Sequence, residues 1–138
     1  MKPALLHWYQ QCENPEVIES LYSSRPPLAL WDLRDVMVLD DGERVRLRAV
    51  VSEFPDDPPE EWPAEFNRTQ VSVDLTRVSE FNFSGWSQDN TGIFTLIRET
   101  PYQLAYSFKG RLTRVRGTCQ SARISKIAGY AAQGQRAG

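Results

Sequence analysis

The chain has 138 residues and a mass of 15.8 kDa, the size of one ordinary domain. With 41% hydrophobic and 11% aromatic residues it can fill a core, which excludes wholesale disorder. The net charge is only −2, and no stretch approaches the roughly 20 apolar residues that span a bilayer.

The first segment turns polar after Leu6 and lacks a signal peptide's apolar centre, so the expected compartment is the cytoplasm. A short helical turn is expected over residues 5–10. Asn14-Pro15-Glu16 then reads as a helix start, with a capping residue, a proline at the first helical position and an acid in the first turn. Val17, Ile18, Leu21 and Tyr22 make an apolar stripe on that helix, and Pro26-Pro27 ends it.

From Leu30 the period changes to two. Residues 33–39 read as a strand entering the turn Asp40-Asp41-Gly42, whose glycine can take a positive φ. Arg44, Arg46 and Arg48 alternate with Val45, Leu47 and Ala49, the pattern of a strand with one wet and one dry face. Four prolines and five acids between Glu53 and Pro63 then exclude a central strand. Further strands are expected over 70–75, 78–83, 93–98, 102–108, 112–119 and 122–127, with turns at Gly85-Trp86, residues 89–92 and Lys109-Gly110.

Short connections favour antiparallel neighbours, because a parallel pair needs a crossover of about a dozen residues or more. The expected fold is α+β: one or two N-terminal helices packed on a twisted, mostly antiparallel β-meander of about eight strands, either open or curled toward a barrel. Residues 1–130 read as one domain and 131–138 as a fraying tail.

The usual catalytic constellations are missing from the pattern. Gly85 and Gly92 fall in hairpin turns, not between a strand and a helix where a phosphate loop would sit. The single histidine, His7, is expected in a mobile N-terminal segment, a poor place for a general base. Cys12 and Cys119 with one histidine cannot make up a four-ligand zinc site; both read most simply as reduced thiols, with a disulfide between them as the alternative. The pairs Asp40/Asp41, Asp56/Asp57 and Glu60/Glu61 are adjacent loop acids, which ordinarily point into water. The expectation is a non-enzyme without cofactor or metal.

Binding features remain. Trp31, Trp62 and Trp86 each adjoin a turn or proline bend, and either plug the edges of the core or act as partly exposed anchors. Trp62 beside Asp56, Asp57, Glu60 and Glu61 would form an anionic patch with an apolar centre, suited to a basic protein partner. Two other readings stand beside it. Tyr102, Leu104, Tyr106 and Phe108 share a strand face and could line a ligand cavity. Arg111, Arg114, Arg116 and Arg123 fall in a stretch with seven basic and no acidic residues, from Lys109 onward. Their alternation suits a solvated strand face, and a sequence pI of 5.4 lies far below the value above about 9 typical of nucleic-acid domains.

Taken in order, these segments resemble the immunity protein 50 family of bacterial polymorphic toxin systems. The resemblance runs from Trp8-Tyr9 and the Val17 to Tyr22 helix, through Pro26-Pro27-Leu28, to Ile127-Ala128-Gly129-Tyr130. Its most specific stretch is Phe54-Pro55-Asp56-Asp57-Pro58-Pro59-Glu60-Glu61-Trp62, followed by the alternating segment 71–75 and Gly85-Trp86. The resemblance implies a small cytoplasmic antidote that binds a cognate toxin domain stoichiometrically. It brings no catalytic residues with it.

Overall fold

The structure, a computed structural model, describes residues 6–131. Eight strands form one antiparallel sheet: β1 (Leu30–Leu39), β2 (Arg44–Val51), β3 (Arg68–Thr76), β4 (Glu80–Ser84), β5 (Thr91–Thr100), β6 (Gln103–Gly110), β7 (Arg114–Cys119) and β8 (Ser121–Tyr130). The strand order is β4-β7-β6-β5-β1-β2-β3-β8, and the sheet does not close into a barrel. Among the described residues helix is scarcer than the α+β expectation: one α-helix, α1 (Glu16–Glu19), and two 3-10 turns at Trp8–Gln11 and Asp40–Gly42. The tail at 132–138 lies outside the described residues.

The meander is only partial. β1-β2-β3 and β5-β6-β7 are sequential neighbours, but β4 pairs with β7 and β8 with β3. The reason lies at one corner. Between β3 and β4, Arg77 takes a left-handed φ of 53°, and the Ser79 N–H donates to Thr118 O (3.0 Å). Between β7 and β8 stands only Gln120, whose N–H donates to Thr76 O at 3.1 Å. Each pair of strands therefore continues its predecessor around a bend instead of folding back as a hairpin.

The β1–β2 connection is tighter than one glycine would make it. Asp40 (φ 54°), Asp41 (φ 57°) and Gly42 (φ 93°) are all left-handed, a conformation aspartate tolerates better than most side chains. On β2 the alternation is realised: Val45, Leu47, Ala49 and Val51 are buried and the arginines half-exposed. On the outer face Arg46 clasps the buried Asp74 of β3 through two hydrogen bonds (2.7 and 3.0 Å), and Arg48 pairs with Asp35. A β-bulge between Leu33 and Asp35 shifts the register of β1 so that Asp35 stands opposite Arg48.

The dry face packs against the N-terminal segment. Trp31 stacks on Phe94 (centroids 4.0 Å apart), and Trp8 meets both rings edge-on at 5.4 Å. The indole N–H groups of Trp8 and Trp31 both donate to the Leu28 carbonyl, at 2.9 and 3.0 Å. His7, expected to be mobile, opens the first 3-10 turn, and its N–H donates to Gln10 Oε1 (2.8 Å). The helix after it is shorter than the apolar stripe suggested. Asn14 does not cap it: its side chain reaches β8 instead, bonding Ile124 through both amide atoms.

Candidate binding surface

Residues 52–67 connect β2 to β3 and carry the acidic, proline-rich stretch. Four prolines deny it a strand's hydrogen-bond ladder, so local turns and tertiary contacts hold it. Trp62 N–H donates to Pro59 O and Phe66 N–H to Pro63 O, each at 3.1 Å. The resulting turns bring Phe54, Trp62 and Phe66 together, with Trp62 centred 5.9 and 6.0 Å from the other two rings.

This aromatic strip rests on β8. A methyl group at Gly129 would stand 2.5 Å from the Trp62 ring and 2.8 Å from Phe66, so only glycine lets the rings approach that closely. The other flank is tied to the segment following α1. Asp57 N–H donates to Leu21 O (3.0 Å), and the Tyr22 hydroxyl donates to Glu53 O (2.6 Å). Asp56 accepts from the Ser23 N–H (2.9 Å), the Ser23 hydroxyl and the Ser24 N–H. The Ser23 hydroxyl bond, with the backbone donors behind it, holds the Asp56 carboxyl below the usual carboxylate range.

The five residues read from sequence as one patch thus divide by task. Asp56 and Trp62 brace the loop. Asp57, Glu60 and Glu61 are exposed, and among the described residues none has an ion-pair partner within 4.0 Å. Sequence reasoning missed Ser23, Ser24 and Gly129, whose roles depend on contacts with residues 32 or more positions away.

The competing surfaces are placed differently. Leu104, Tyr106 and Phe108 are packed in the core, while Tyr102 is 79% exposed in the β5–β6 turn, so the four do not share one lining. Arg114 and Arg116 lie on β7, but Arg123 lies on β8, in the half of the sheet beyond β3. Of the three tryptophans that adjoin turns or proline bends, Trp31 is core, Trp62 half-buried and Trp86 49% exposed. No group of three His, Cys, Asp or Glu side chains converges among the described residues.

The sequence matches the family described as Immunity protein 50 over residues 14–130, which takes in α1, all eight strands and the whole acidic loop. The chain belongs to the Immunity protein 50 family. No curated protein and no solved structure matches it. Membership in an immunity family implies binding to a toxin partner. Among the described residues no helix is long and apolar enough to cross a membrane.

Proposed function

We propose that this chain is a cytoplasmic immunity protein that neutralises a cognate polymorphic-toxin domain by direct stoichiometric binding, with Asp57, Glu60 and Glu61 facing a basic surface of the toxin. Membership in the Immunity protein 50 family carries the reading. The loop adds a physical argument: Asp57, Glu60 and Glu61 are left without ion-pair partners among the described residues, while the loop's backbone and aromatic strip are braced on both sides. A braced loop loses little conformational freedom on binding, and unpaired charge speeds encounter with an oppositely charged partner. Trp62 and Asp56 act here as supports for the contact surface.

The experiment is co-expression with the toxin domain encoded beside this gene, scored by growth and then by co-purification. Rescue with a complex of one-to-one composition is the expected result. Rescue without a complex, or a complex that leaves the toxin active, would overturn direct neutralisation.

A further inference from the structure

β1 pairs with β2 along nearly its whole length, but with β5 only at Leu30, Trp31 and Asp32. The Leu33 N–H is taken by Asn90 O, and beyond that point nothing among the described residues bonds to the outer backbone edge of residues 34–39. Stretches of two other edges are covered by the chain itself, while the outer side of the terminal strand β4, which carries Glu80, is open as well. Glu13 and Asn14 bond β8 at Ala122 and Ile124, and the Ala29 carbonyl accepts the Phe94 N–H of β5. An uncovered edge presents a row of unpaired N–H and C=O groups ready for another strand. This one carries no proline and no charge from Val36 to Leu39, and Met37 and Val38 are 42% and 55% exposed.

We propose that two copies of this chain pair antiparallel through the free edge of β1. Residues facing each other across a ladder must lie on the same face, so a two-fold pairing can only be centred on a single residue. Centring it on Met37 sets Val36 against Val38 of the second copy. It also brings Arg34 to the turn carrying Asp40 and Asp41 of the second copy, and symmetry repeats the contact. Opposite charge thus falls at both ends of the ladder, where the exposed Arg34 and Asp40 pair within one copy with Asp32 and Arg44 and would exchange or share those partners, with apolar side chains in the middle, as a self-complementary interface requires.

A short ladder alone buries little surface. Trp86, which lines a hollow with Leu33 and Arg34 at the end of this edge, lies 5.8 Å from the exposed Phe83 and adds apolar area beside the ladder. The acidic loop leaves the sheet after Val51, paired with Trp31, whereas the free edge runs toward Leu39 at the opposite end of β1. Both loops therefore stay open in the dimer, and the proposal does not rest on the antidote reading.

Sedimentation equilibrium of the full chain over a micromolar-to-millimolar series should give a mass rising from 15.8 kDa toward twice that value. Val38→Lys, an edge lysine at an exposed position, should hold the protein at monomer mass with an unchanged circular dichroism spectrum. Arg34→Asp should weaken self-association at least tenfold, and mixing it with D40K/D41K should restore a one-to-one heterodimer. A wild type that stays monomeric throughout overturns the proposal, as does a dimer that survives both single variants. So does a monomer from which Val38→Lys removes toxin capture, since the edge would then belong to the toxin.

Discussion

Asn14 and Ile124, 110 positions apart, are joined by two hydrogen bonds. The Asn14 Nδ2 donates to the Ile124 carbonyl and its Oδ1 accepts the Ile124 N–H, each at 2.9 Å. A side-chain amide carries the same donor and acceptor as a peptide unit, so Asn14 stands where a ninth strand would place its backbone. With Glu13 N–H bonded to Ala122 O at 2.8 Å, it covers the buried part of the β8 edge.

Asn14→Ala should therefore leave the Ile124 N–H and C=O buried without partners and cost about 2–3 kcal/mol. Amide exchange at Ile124 should accelerate more than at Val73, its neighbour across the ladder. Asn14→Asp keeps the acceptor and loses the donor, so it should recover only part of the loss. Equal exchange at Ile124 in the wild type and N14A would remove the edge-covering role.

The contact between Gly129 and Trp62 makes a second prediction. Gly129→Ala puts a methyl group into the space of the indole, so either β8 or the aromatic strip must shift. Overpacking of this kind costs about 1–3 kcal/mol. The displaced loop should show first as a change in tryptophan emission and as faster proteolysis between residues 53 and 66. Trp62→Ala should relieve the clash, so the double variant should lose less than the two singles combined. Simple additivity would mean that the two residues do not press on each other.

How far these features can be read from sequence depends on the range of the contact. The wet and dry faces of β2 were legible because Arg44, Arg46 and Arg48 alternate with Val45, Leu47 and Ala49, a signal written in neighbouring residues. The turn at Asp40-Asp41-Gly42 was legible for the same reason. Asn14 misled because its local context, a proline and an acid following, is that of a helix cap, while its actual partner lies on β8. The strand order failed at β4 and β8 because continuing around a corner and folding back as a hairpin leave the same short connections. The acidic loop was legible as composition. Which of its acids is tied and which is free depends on Ser23 and Ser24, and no pattern within the loop records that.

The two cysteines give a chemical prediction. Burial pushes the Cys12 thiol up to about 12, with Cys119 and Glu13 adding to it. Burial likewise pushes the Cys119 thiol up to about 12. Thiolate is the reactive form, so neither should react appreciably with iodoacetamide at pH 8 while the protein is folded. Labelling should follow unfolding in urea, both sites appearing together with loss of the circular dichroism signal. Fast labelling of Cys12 in native buffer would mean that the N-terminal segment opens independently of the sheet.

Asp74 sets an acid limit on stability. Burial alone would raise its carboxyl, but hydrogen bonds from Arg46 and Ser125 and the charges of Arg46 and Arg44 outweigh it, leaving it below the usual range. A carboxylate depressed in the folded state stabilises above its unfolded value, and the gain disappears as pH falls through the folded value. Asp74→Asn should cost about 2 kcal/mol near neutral pH, less than a fully buried pair because both arginines reach solvent. The difference from wild type in urea midpoint should stay constant above about pH 5 and shrink below about pH 4. A difference that persists unchanged at pH 3 would assign the loss to packing and not to charge.

The division of the loop into supports and contacts can be tested by kinetics against the neighbouring toxin domain. Replacing Asp57, Glu60 and Glu61 together with Asn, Gln and Gln removes charge that no described residue offsets, and should leave the fold intact. Long-range attraction acts mainly before contact, so association should slow about tenfold at low salt, while dissociation changes less. The salt dependence of association should flatten, because fewer charges are left to screen. Asp56→Asn removes one formal charge against three, and it also removes one of the two acceptor oxygens that bind Ser23 and Ser24, so its larger effect should fall on protease resistance of the loop. If the triple variant associates at the wild-type rate at low salt, the acidic loop lies outside the interface. If Asp56→Asn slows association as much as the triple variant without loosening the loop, the support and contact roles assigned here are wrong.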